Sequence, residues 1–305
     1  MLYQVKTKII FLFSLITFLF PYTKNIFAQG SVGYLFGTGL DYYNGDINEK
    51  SDKIISPTKV FKPFVRVGLA YRITSHLEST LIFFHGSIEG ADSLALEKDN
   101  LLRNESFKSN IDELALHFEY QIFSIFKKRK FVPYVFGGVG VFHFNPKAEL
   151  NGTWYELQPL GTEGQNISVA DNKKPYSLNE IVLPLGIGIS YRLSPHWRLR
   201  FDYSNHFTFT DYLDDVSTVY PDSALLASAP NGQIALLLAN RRLGSSYPKT
   251  NRSRGNPKYN DSYSHFGVTL VYNPGMLHFG KRYKADLFRK KNLRRFWRNL
   301  SCPAF

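Results

Sequence analysis

Cysteine is nearly absent: one in 305 residues, Cys302, so no disulfide can form within the chain and a bridge-stapled scaffold is excluded. Long apolar runs are missing as well. No stretch beyond the first 28 residues reaches the roughly 18 apolar residues that a spanning helix needs. The early run Ile9 to Phe20 has 12 residues and stands behind Lys6 and Lys8, with Ala28 preceding Gln29. A basic start, a short apolar core and a small residue at the cut describe an export signal over residues 1–28, although Ile26 at minus three is less usual than Ala. No cysteine lies near that cut, which argues against a lipid anchor there.

Acidic residues are what the two ends lack. The formal net charge is +12. Residues 1–28 carry three lysines and no acid, and residues 281–298 carry nine Lys or Arg against one Asp. Taking +3 and +8 from the total leaves +1 for the body. Basicity therefore belongs to the termini, and for an exported chain it gives no reason to expect a nucleic-acid partner.

What the body does contain is alternation. Between Ile181 and Thr210, Ile181, Leu183, Leu185, Ile187, Ile189, Tyr191 and Leu193 share one strand face, with Glu180, Gly186, Gly188, Ser190 and Arg192 opposite. The turn Ser194-Pro195-His196 follows. Then Trp197, Leu199, Phe201, Tyr203, Phe207 and Phe209 alternate with Arg198, Arg200, Asp202, Ser204, His206 and Thr208. An apolar face ending in aromatics, set against Gly, Arg and Asp, is the pattern of a transmembrane β-hairpin.

Six further segments alternate: Val32 to about Asp46, Phe64 to Ile73, Leu77 to Ile88, Ile111 to Phe123, Val132 to Phe144 and Tyr263 to Tyr272. The third and fifth carry apolar residues on both faces, so their facing stays open. Connections alternate too, long after the odd strands and short after the even ones. Long loops at one end and short turns at the other predict an all-β fold, an eight-stranded antiparallel transmembrane β-barrel. The organisation expected is a signal at 1–28, a barrel at 29–273 and a basic C-terminal tail at 274–305. Long loops would face outward from the outer membrane, and the tail would lie in the periplasm.

Eight strands leave an interior just wide enough for side chains. Arg66, Glu113, His117, Glu119, Arg192, Arg198, Arg200 and Asp202 are expected to pair inside as a polar plug, with no pore for solutes. In the longest loop, Asp211, Asp214 and Asp215 could bind Ca²⁺, but the spacing lacks the Gly and distal Glu of an EF-hand, and a hydrogen-bonded loop base is the preferred reading. Asp222–Ala229 and Gln233–Arg242 read as short helices over the barrel mouth. Trp154 and Tyr155 could grip a partner or sugar, or pack within their own loop. No catalytic, cofactor or metal site is predicted: Gly137-Gly138-Val139-Gly140 has no Lys-Ser/Thr after it, and no spacing ties a histidine to a serine nucleophile. In the tail, Arg289, Lys290, Lys291, Arg294, Arg295 and Arg298 surround Leu293, Phe296, Trp297 and Leu300 at helical spacing. Such a segment can lie on an anionic membrane or bind an acidic partner.

Three stretches carry a resemblance: Pro133 to Pro146 (PYVFGGVGVFHFNP), Trp154 to Gly164 (WYELQPLGTEG) and Thr210 to Thr218 (TDYLDDVST). They are similar to PorG-type outer-membrane barrels associated with type IX secretion, over about residues 30–275. The resemblance implies a non-enzymatic outer-membrane protein linking the periplasmic ring of the secretion and gliding machinery to the membrane. It implies membrane lipid and ring proteins as partners. A surface-binding barrel acting through its outer loops, and a lipid-modifying enzyme, are the alternatives.

Overall fold

The computed structural model describes residues 32–47, 61–95, 98–123, 129–165, 167, 174–244 and 247–274. The expected export signal and the basic segment Arg289 to Arg298 lie outside the described residues. Strands β1 (Val32–Asn44), β2 (Phe61–Arg72), β3 (Leu77–Ala91), β4 (Ser106–Gln121), β5 (Phe131–Leu150), β7 (Asn179–Arg192), β8 (Trp197–Thr208) and β9 (Ser262–Tyr272) pair in sequence order. All pairings are antiparallel, and β1 meets β9 with Tyr34 opposite Tyr272. The barrel is therefore closed, each of its eight strands paired on both sides. A ninth strand, β6 (Thr153–Glu156), only folds back on the end of β5 outside the barrel.

Each barrel strand turns apolar side chains outward. Phe36, Val67, Phe83, Phe118, Val141, Ile187, Phe201 and Val268, one per strand, are 39–60% exposed. A continuous belt of that kind is stable only in an apolar medium. At the short-turn end the belt closes in aromatics, with Trp197 4.6 Å from Tyr272 and Phe131 4.8 Å from Tyr191 between ring centres. Amphipathic rings of this sort suit a membrane interface.

Facing is resolved for the two segments the sequence left open. In β3, Glu78, Thr80, Ile82, Phe84 and Ile88 point inward and are buried; in β5, Val132, Tyr134, Phe136, Phe142 and Phe144 do. The interior consequently has two storeys. Near the short turns it is charged. Toward the long loops it is aromatic and aliphatic, and it runs without a break into Leu157, Leu160, Leu213, Val216, Leu226 and Leu238 of the loops. The polar filling is densest in the lower half, and Asp41, Glu113, His206 and His265 continue it upward among the aromatics. β3, β4 and β5 also outrun their expected ends. β5 has 20 residues where about 10 cross a bilayer, so these strands continue as hairpins within the cap.

The cap contains the two helices read from the sequence, at Ser223–Ser228 and Gly232–Ala239. Asp222 caps the first, accepting from the backbone N–H of Ala224 and Leu225 at 2.9 and 3.0 Å. The second ends at Ala239, before Arg242 and Gly244. Among the described residues no helix is long and apolar enough to cross a membrane.

Candidate functional site

Two polar assemblies lie inside the molecule, one in the lower lumen and one in the cap. In the lumen, Arg66 grips Asp202 with both terminal nitrogens at 2.9 and 2.6 Å, and its Nε donates to Thr269 Oγ1 at 2.8 Å. Arg200 pairs with Glu119, which also accepts from Thr80 at 2.9 Å. Arg198 donates to both oxygens of Glu78 at 3.1 and 3.0 Å and to Asn273 Oδ1. Arg72 closes on the same Glu78 carboxylate, and Arg200 stands 3.6 Å from it. One fully buried carboxylate thus serves three guanidiniums.

Two residues expected in this network do not pair in it. Arg192, the last residue of β7, is only half-buried at the rim. It forms no ion pair among the described residues, because Glu78 is already taken by Arg198, Arg72 and Arg200. His117 is buried but lies stacked against Phe136 at 5.2 Å, with no hydrogen bond at Nε2. Glu113 belongs higher in the barrel, accepting from Tyr263 Oη at 2.7 Å beside His206. Sequence reasoning missed Glu78 as a partner; the signal was obscured because β3 mixes polar and apolar residues on its inner face. A void of about 10 Å³ remains beside Arg66, His117, Tyr134 and Arg200, room for about one water.

In the cap, Arg254 is buried among Glu105, Glu163 and Asp215, at 3.3, 3.3 and 3.7 Å, and also donates to the Asp215 carbonyl. Asp215 accepts from Thr162 Oγ1 and, at 2.8 Å, from Tyr176 Oη. Glu163 accepts from the backbone N–H of Ser217 and Thr218. Asp214 accepts from Tyr43 Oη at 2.7 Å and Ile47 N at 3.0 Å. Asp211 is buried, and burial pushes its carboxyl up to about 7. Rings of Phe144, Tyr176 and Tyr212 stack at 6.2 and 4.5 Å. The three stretches that carried the resemblance, far apart in sequence, meet here. Asp214 and Asp215 both accept from protein donors at the base of this loop. Tyr155 is half-buried against the core, whereas Trp154 is 50% exposed and lines an open cleft of about 560 Å³ with Glu89, Lys108, Glu149 and Arg241.

Residues 8–232 match the model of a family described as a domain of unknown function, DUF6089. The chain belongs to this family. The matched region stops inside the last long loop, so β9 lies beyond it. No curated protein matches the chain. Among solved structures, Neisserial surface protein A is similar at 10% identity over 80% of this chain and 97% of that one, with a TM-score of 0.40. The outer membrane protein OprG of Pseudomonas aeruginosa is similar at 11% identity over 82% and 99%, with a TM-score of 0.35. For Ail of Yersinia pestis the figures are 9%, 80%, 97% and 0.35. The barrel assignment for this DUF6089 member rests on its own closed strand pairing.

One lumen arrangement invites an enzymatic reading. Ser204 Oγ is 3.0 Å from His206 Nε2, and His206 Nδ1 is 2.9 Å from Glu113 Oε2. The residue types are those of a hydrolase triad, but Ser204, His206 and Glu113 are each at most 2% exposed. A nucleophile needs a place for its substrate and donors aimed at the developing oxyanion. Aromatic packing above and arginine packing below leave neither.

Proposed function

We propose that this chain is a non-enzymatic integral outer-membrane barrel that anchors or organises a type IX secretion and gliding complex by contacting its periplasmic ring. The sealed lumen carries the non-enzymatic, non-conducting part of this reading. With the lumen filled among the described residues, what the molecule offers is its lipid-facing belt and its two ends. The belt suits outer-membrane lipid, and the aromatic girdle suits the membrane interface. The short turns and the basic segment Arg289 to Arg298 would then lie on the periplasmic side, where a ring would dock. The secretion role itself is supported by the resemblance of the three stretches that the cap assembles.

Co-purification from detergent, with and without residues 275–305, tests it. Recovery of ring components with the full chain, and their loss with the truncated one, is the expected result. Normal secretion in a deletion strain, with no ring component recovered, would refute it. A second reading, surface binding through the outer loops, is favoured by Trp154 and its open cleft. Loss of function in Trp154→Ala with the tail intact would select it. A changed lipid A or phospholipid profile on deletion would instead select a lipid-modifying role.

A further inference from the structure

Above the arginine network, four strands bring Asp41 (β1), Glu113 (β4), His206 (β8) and His265 (β9) together inside the barrel. All four are buried. One ligand-type atom each from Glu113, His206 and His265 lies within 4.8 Å of the others. His206 Nδ1 stands 2.9 Å from Glu113 Oε2, which also accepts from Tyr263 Oη at 2.7 Å, and His265 Nε2 stands 3.4 Å from Asp41 Oδ1. Neither of these two nitrogens, and neither oxygen of Asp41, is aligned with a hydrogen-bond partner. Donor atoms that converge out of line with one another leave a point between them for an ion.

The charges agree with that reading. Neither Asp41 nor Glu113 touches an Arg or Lys among the described residues, and the nearby Arg66 is committed to Asp202 and Thr269. The rings of His206 and His265 lie 3.9 Å apart between centres, close enough to share one ion, and one divalent cation would balance the charge of the two carboxylates.

The geometry points to a buried divalent transition-metal site, of the kind that takes Zn²⁺, held by Glu113, His206 and His265, with Asp41, 3.4 Å from His265 Nε2, as the fourth ligand. Nitrogen and carboxylate ligands at about 2.0–2.2 Å suit Zn²⁺, and four protein ligands make a closed, structural site. Tetrahedral ligand atoms stand about 3.3 Å apart, so the side chains close by up to about 1.5 Å on the ion. A ligating histidine donates its other ring N–H to an oxygen that fixes the ring. Ser204 Oγ, 3.0 Å from His206 Nε2, is placed to accept it. The aromatic plug above and the arginine network below seal the site, so the ion enters as the barrel closes and ties its first strand to its last.

The test folds the full chain into detergent from chelator-treated denaturant with one equivalent of Co²⁺, then titrates Zn²⁺. Visible d–d absorption from one Co²⁺ per chain, removed by Zn²⁺, is expected. His206→Gln with His265→Asn should abolish it while heat-modifiable gel mobility persists, and Ser204→Ala should weaken binding about 10–100-fold. The surface variant His85→Ala should change nothing. Absence of Co²⁺ absorption in the wild type, or its retention in the double variant, would overturn the site. If the double variant fails to fold, X-ray absorption on the wild-type Zn²⁺ form decides. Two imidazole ligands support the assignment, and fewer refute it.

Discussion

Replacing Arg254 by Met keeps most of the side-chain volume and removes the single cation that Glu105, Glu163 and Asp215 share in the cap. Removing one partner from a buried ion pair costs about 3–5 kcal/mol, since the remaining charge stays buried and uncompensated. At about 1.4 kcal/mol per decade, that raises the population of the opened cap by about two to three and a half powers of ten. The readout is hydrogen exchange over residues 211–220. There the N–H groups of Val216, Ser217 and Thr218 donate to buried carboxylates, so their protection factors report cap opening while the barrel stays closed. The pH dependence carries the sign. Burial pushes Glu105 up to about 7 and Asp215 up to about 6, with Arg254 offsetting only part of it. Carboxyls raised in the folded state bind more protons folded than unfolded. Their contribution is therefore complete below about pH 4 and is lost as pH rises through 6 and 7. Without Arg254 the values rise further, so the variant should lose protection at pH 8 and recover most of it at pH 5. Equal losses at both pH values would show that Arg254 acts through packing, and unchanged protection at pH 8 would refute the ion cluster outright.

Glu78→Gln leaves Arg72, Arg198 and Arg200 facing one another in the lower lumen. Folding yield in detergent, read by heat-modifiable mobility, should drop sharply and recover in part when Arg72→Met is added. Gly188→Val should block folding, because even a Cβ at this position would lie 2.4 Å from Tyr134 Cζ, and the strand ladder on both sides holds the backbone in place. Arg192→Ala should shift the urea midpoint by no more than about 0.5 kcal/mol, as expected of a half-buried rim residue without an ion pair; a large loss would mean an unrecognised partner. Asp222→Ala should lower the stability of the helix Ser223–Ser228 by about 1 kcal/mol, seen as faster exchange confined to residues 223–229.

The barrel was legible where the two faces of a strand meet media of opposite polarity. The hairpin from Ile181 to Thr210 and the segment from Leu114 to Ile122 have lipid outside and charge or glycine inside, so a period of two stands out. β3 and β5 defeated the same reading for a physical reason. Ile82, Phe84, Ile88, Phe142 and Phe144 fill the upper storey of the lumen, so both faces of those strands are apolar and the contrast vanishes. Glu78 was hidden by this mixture, and with it the carboxylate on which three arginines converge. The helix starting after Asp222 was readable because its cap is local. The pairing of Arg254 with Glu105 spans 149 residues and exists only once the loops have folded on one another.

The same two storeys explain why the loops form part of the core. A closed eight-stranded sheet is too narrow to hold water in bulk, so its filling must match the end at which it is made. At the short turns, Arg72, Arg198 and Arg200 meet acids contributed by β3 and β4, and the sheet alone supplies every partner but Asn273. At the other end Phe142, Phe144 and Tyr263 pack on strand residues such as Phe84, Ile111 and Val182, and the sheet leaves their upper side open. They are covered by Leu157, Leu213, Val216 and Leu226, which lie in two different loops. Those loops in turn must satisfy the buried acids Asp214, Asp215 and Glu163, and they do so with Tyr43 and Ile47 N of the first strand region and with Tyr176 and Arg254. The apolar upper lumen therefore requires the cap, and the cap's buried charges require the barrel's first strand. A loop change that breaks the Arg254 cluster is felt inside the barrel. One confined to Trp154 at the exposed hairpin is not, so that hairpin can change without disturbing the cap's buried charges.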